Sequence, residues 1–69
     1  MDRIPIASSN LVSVGYDKTS STLEIEFKNG IYQYSGVPEN VYEDLMNASS
    51  AGRYLNINIK DGYPCEQVE

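Results

Sequence analysis

From Thr22 to Lys28 apolar and charged residues alternate, with Leu23, Ile25 and Phe27 on one set of positions and Glu24, Glu26 and Lys28 on the other. A period of two marks a strand with one face buried and one in water. Asn29-Gly30 follows, a pair that tolerates the positive φ of a type I′ turn, and then comes Ile31-Tyr32-Gln33-Tyr34-Ser35-Gly36. A two-residue loop at Asn29-Gly30 sets Lys28 opposite Ile31, Phe27 opposite Tyr32, Glu26 opposite Gln33, Ile25 opposite Tyr34 and Glu24 opposite Ser35. Cross-strand partners share a face, so Leu23, Ile25, Phe27, Tyr32 and Tyr34 form a core face. Glu24, Glu26, Lys28, Gln33 and Ser35 are assigned to water.

Upstream, Leu11-Val12-Ser13-Val14-Gly15-Tyr16 reads as a strand with Val12, Val14 and Tyr16 on one face, and Gly15 marks a bulge or a close backbone approach. The loop Asp17 to Ser21 is short enough to make this strand the antiparallel neighbour of the next. The expected sheet is a three-stranded meander over about 11–17, 22–28 and 31–36, preceded by an extended arm over residues 1–8. Beyond Gly36 the period lengthens. Pro38 and Glu39 suit a first helical turn, and Val41, Leu45 and Ala48 recur at i, i+4 and i+7, which predicts an amphipathic helix over about 38–48. Residues 49–60 fit two readings. Leu55 to Lys60 alternates like a strand, whereas Ser50 as N-cap with Ala51, Leu55 and Ile59 on one face makes a helix. Asp61-Gly62-Tyr63-Pro64 ends either element, and residues 64–69 read as a frayed acidic tail. The fold class is α+β, a small sheet covered by one or two helices.

Size and charge narrow the functions available. A single domain of 69 residues buries a thin core, which rarely supplies more than ~3–5 kcal/mol without a staple. One cysteine and no histidine exclude an internal disulfide and an ordinary zinc site, and no other cofactor is indicated. The lone Cys65 points to a reducing compartment, a disulfide-linked dimer being the alternative. A net charge of −5 repels polyanions at long range without excluding a local basic patch. Without a signal-like or membrane-spanning apolar run, the expectation is a cytoplasmic protein with no membrane partner.

Catalysis finds little support. Without histidine a serine or cysteine nucleophile lacks its usual base, and Glu24 with Glu26 reads as an ordinary strand face. No small-molecule substrate is indicated, and the expectation is a non-enzyme. Tyr32 and Tyr34 tempt comparison with sheets that stack bases on exposed aromatics, but register puts them under the helix. If residues 50–60 are helical, Arg53, Asn56 and Lys60 fall at i, i+3 and i+7, a basic polar stripe opposite the apolar face. Ser49 and Ser50 at the helix start add an anion-binding end beside Arg53.

Phe27-Lys28-Asn29-Gly30, the central Tyr32-Gln33-Tyr34, Gly36-Val37-Pro38, and Ala48 to Tyr54 with Ile59-Lys60 together resemble the KTSC domain. This short bacterial and phage family occurs at the C-terminus of some lysyl-tRNA synthetases and is marked by a central Tyr-x-Tyr. Phe27, Gly30, Tyr32 and Tyr34 are then structural signature positions. The resemblance covers about residues 3–65, favours the helical reading of 50–60, and implies a free-standing domain of unestablished function for which RNA binding is suggested. Two expectations follow. The first is protein–protein association, including self-association through an open sheet edge. The alternative is RNA binding through Ser49, Ser50, Arg53, Asn56 and Lys60.

Overall fold

A computed structural model describes residues 1–69. Five strands form one antiparallel sheet in chain order: β1 (Ile4–Pro5), β2 (Leu11–Asp17), β3 (Thr22–Phe27), β4 (Gly30–Tyr34) and β5 (Cys65–Gln67). Helices α1 (Glu39–Asn47) and α2 (Ala51–Asn58) cover its apolar side. Residues 49–60 are thus helical over most of their length, and Ser50 caps α2 by accepting the Arg53 backbone N–H at 3.3 Å. The meander β2–β3–β4 is as expected, but it is extended at both edges. The arm adds β1, and the tail is a docked strand rather than frayed, pairing Cys65 with Tyr34 and Gln67 with Tyr32. Backbone bonds from Ile31 N–H to Glu69 O (3.1 Å) and from Val68 N–H to Ile31 O (2.8 Å) continue that pairing towards the turn.

The register of the β3–β4 hairpin differs from expectation by two residues. Phe27 faces Gly30, Ile25 faces Tyr32 and Leu23 faces Tyr34, so the turn residues are Lys28 and Asn29. Neither has positive φ, so the turn is not type I′; Gly30 (φ 150°) takes up the distortion at the first position of β4. A shift of two keeps parity, which is why the core face survives it. Leu23 and Ile25 are fully buried and Tyr34 nearly so, beneath Leu45 of α1 and Leu55 and Ile59 at α2.

In β2 the pairing jumps from Leu11–Phe27 to Ser13–Glu26, so the bulge lies at Val12 rather than Gly15. The extra residue puts Leu11 and Val14 on the same buried face and leaves Val12 40% exposed, the reverse of its expected position. Gly15 serves the other purpose foreseen for it, close approach. A Cβ there would lie 2.8 Å from the Asp2 carbonyl oxygen and 3.0 Å from Arg3 Cγ. The bare backbone lets the arm cross the outer face of the sheet.

That crossing overturns the assignment of Glu24 to water. Glu24 is 7% exposed, and its carboxylate accepts from Arg3 Nη1 at 2.5 Å and Gln33 Nε2 at 2.8 Å. Arg3 Nε also donates to Ser13 Oγ (3.0 Å), and that hydroxyl donates to Glu26 Oε1 (2.8 Å). The Gln33 hydrogen bond, helped by Arg3, holds the Glu24 carboxyl below its ordinary value against the opposing effect of burial.

Candidate functional site

The β3–β4 turn and α2 both stand at one end of the sheet, and the space between them is an open groove of two lobes. The first, about 360 Å³, is bounded by Asn10, Lys28 and Gly52. The second, about 410 Å³, is bounded by Tyr32, Tyr34, Lys60, Asp61 and Cys65. Phe27, Asn29, Leu55 and Asn56 border both and join them into one channel. The half-buried Phe27 and Tyr32 meet edge to face, their centroids 5.4 Å apart at 81°, and so offer perpendicular ring surfaces. Tyr34 lies deeper. Burial pushes its hydroxyl up to about 12, with a further contribution from the Cys65 thiol across the strand pair.

The chain has five cationic side chains. Arg3 is bound to Glu24, and Lys18 lies 3.9 Å from Glu39. Lys28, Arg53 and Lys60 form no ion pair, and two of these three stand at the groove, one beside each lobe. Asp61 is the acid among the lining residues.

The expected basic stripe is divided. Arg53, Asn56 and Lys60 are all exposed, but Arg53 borders a third hollow of about 290 Å³ together with Ser49, Ser50, Tyr54 and Ile57. Asn56 and Lys60 belong to the groove. The division falls within α2, between Arg53 on the side of the third hollow and Asn56 on the side of the groove, and Lys60 follows beyond the helix end at Asn58, past Ile59 (φ −120°, ψ −45°). Ser49, Ser50 and Arg53 are therefore brought together, as are Asn56 and Lys60, but not all five. Tyr54, beside the first group, has its hydroxyl held neutral above the usual range by burial and by the charge of Asp44 on α1. Asn10, Lys28 and Asn29 enter the groove without having been foreseen as site residues, and Phe27, foreseen only as a structural signature position, enters it too. Their turn chemistry was visible, but local pattern carries no sign of which turn faces which helix.

A five-stranded antiparallel sheet with two helices packed on one face places the chain among small two-layer α+β domains. Within that class the KTSC domain matches residues 7–63, and the chain belongs to the KTSC domain family. It is 44% identical over 57 residues to an uncharacterised protein of Stutzerimonas stutzeri, covering 81% of this chain and 80% of that one. It is also 44% identical over 54 residues to a lysine–tRNA ligase of Nostoc punctiforme, covering 77% of this chain but only 10% of the ligase. The crystal structure of a KTSC domain protein from Yersinia pestis superposes with a TM-score of 0.96 at 40% identity, covering 99% of this chain and 97% of that one. No helix is long and apolar enough to cross a membrane.

Proposed function

We propose that this domain is a non-enzymatic binding module, that its partner is RNA, and that it works in the cytoplasm. The groove carries this reading. In a chain of net charge −5, two of the three cations without an ion pair flank one channel, which is also bordered by side-chain amides and half-buried aromatic rings. Phosphate attracts such cations, and ring faces and amides suit bases. The match to a segment of lysine–tRNA ligases, enzymes named for a tRNA substrate, supports the same partner. Titration of total tRNA over a salt series tests the reading, with affinity expected to fall as salt rises. Absence of binding at low salt would reject it.

Self-association through a sheet edge is the second reading, favoured by the exposed side chains and free outer edge of β5. The short edge strands weigh against it. β5 has three residues, and β1 has two, of which Pro5 lacks an N–H. Sedimentation at two concentrations tests it, and a strict monomer at both would count against it.

A further inference from the structure

The geometry points to a single-stranded RNA segment as the occupant of the groove, with one nucleotide in each lobe and Lys28 and Lys60 on successive phosphates. This rests on the RNA reading above and specifies its form. The two lobes are similar in size, about 360 and 410 Å³, each near the lower end of the range for small-ligand sites. They are two lobes of one groove, meeting across Phe27, Asn29, Leu55 and Asn56. One cation stands beside each, so the charges repeat with the hollows.

A duplex fits this arrangement poorly. Double-stranded RNA is held from outside through its backbone, by shape and by phosphate contacts spread over a wide surface. Here the whole domain measures 27 × 25 × 23 Å, and its remaining unpaired cation, Arg53, borders a different hollow. The aromatic surfaces of Phe27 and Tyr32 lie inside the groove, where only an unstacked base reaches them. The asparagines divide unevenly, Asn29 and Asn56 bordering both lobes and Asn10 the first alone. An amide both donates and accepts, so the first lobe has the larger capacity to read a base edge.

Gly52 supplies a way to close that lobe without disturbing the fold. It lies within α2, and a Cβ added there would meet only ordinary contacts, Ser8 Oγ at 3.5 Å and Asn10 Nδ2 at 3.7 Å. In the first helical turn a glutamate is favoured both by propensity and by the helix dipole. Gly52→Glu therefore keeps the helix and puts a carboxylate where a phosphate or base edge would sit.

The test uses the full chain with labelled oligouridylate and oligoadenylate, an RNA hairpin stem as the duplex probe, and a salt series for each. Two phosphate contacts to a single strand give a slope of log affinity against log salt of about −1.4, at about −0.7 per contact. Lys28→Ala and Lys60→Ala are each expected to reduce that slope by about 0.7 and to weaken binding about tenfold, the scale of one charge-assisted hydrogen bond. Gly52→Glu is expected to melt no lower than the parent chain and to lose binding. Arg53→Ala is expected to leave the single-strand slope unchanged. If a single strand binds but only Arg53→Ala weakens it, the groove is the wrong site while the RNA reading survives. Hairpin binding as tight as single-strand binding overturns the single-strand assignment alone. Failure of every RNA probe to bind at low salt overturns both.

Discussion

Gly30 shows how one residue meets two demands at once. Its φ of 150° is open to few L side chains, and a side chain there would also run into the tail, since a Cβ would stand 2.6 Å from the Glu69 carbonyl oxygen. Gly30→Val therefore adds backbone strain on the order of 1–3 kcal/mol and displaces the C-terminus. For a domain of this size about 1 kcal/mol lowers the melting temperature by roughly 4–8 °C, so a fall of about 10 °C is expected by thermal denaturation. An unchanged midpoint would mean that Gly30 neither holds this backbone conformation nor receives the tail. The sequence revealed that this glycine was needed but not its place in the turn, because the claim of the tail on it comes from Glu69, 39 residues further along the chain. Glu24 was hidden for a related reason. Its alternation with Ile25 reads as a solvated position, and only the arm crossing at Gly15 encloses it. Because its folded carboxyl lies below the ordinary 4.5, its contribution is complete above that pH and is lost as pH falls through the lower folded value. In a series of melting curves against pH, Glu24→Gln should be less stable than the parent above 4.5, and the difference should narrow below it. A constant difference across that range would remove the carboxylate from the network.

At the scale of elements, what could be read from the sequence was what repeats. β3, β4 and both helices carry several residues of periodic pattern, whereas β1 and β5 have two and three residues and offer no period to detect. The bulge at Val12 escaped for the same reason, since one inserted residue in a short strand leaves both phases of the alternation looking apolar. The candidate site was half legible. Asn56 and Lys60 were found from helical spacing, but the opposite wall, Lys28 and Asn29, depends on how the hairpin lies against α2. The edge strands have a consequence of their own. Removing residues 65–69 leaves the segment that matches the family, 7–63, intact, so the truncated chain should still fold. It loses several backbone hydrogen bonds, including Ile31 to Glu69, at a cost on the order of 1–3 kcal/mol, and bares the edge of β4 along Gly30–Tyr34. An uncovered strand edge is a template for pairing with another chain. The truncated protein should thus melt lower and sediment as a larger species as concentration rises. Monomeric behaviour with an unchanged melting midpoint would show that β5 contributes nothing to the fold in solution.

For the whole molecule the deciding quantity is how little there is to lose. Nine buried hydrophobic residues, from Leu11 to Ile59, make the core, with no disulfide behind them. At roughly 0.05–0.15 kcal/mol per residue a chain of this length holds about 3–10 kcal/mol in all. Tyr34 is the aromatic member of that core, 4% exposed, opposite Leu23 and between β3 and β5. Deleting a buried aromatic side chain costs about 3–5 kcal/mol, so Tyr34→Ala should leave the domain largely unfolded at room temperature. Tyr34→Phe keeps the ring and removes only the hydroxyl beside Cys65, about 1 kcal/mol, so it should fold. The two variants also separate at high pH. The tyrosine hydroxyl is pushed up to about 12 from 10, so its neutral form stabilises the fold fully below pH 10, and that contribution is lost as pH rises towards 12. The phenylalanine variant should therefore keep more of its neutral-pH stability over that interval than the parent does. Circular dichroism of the alanine variant gives the sharper result. A tyrosine that served mainly as a stacking platform would leave a folded domain with weaker single-strand binding when truncated. A native spectrum with a normal melting curve for Tyr34→Ala would therefore remove Tyr34 from the core and make its ring part of the binding surface.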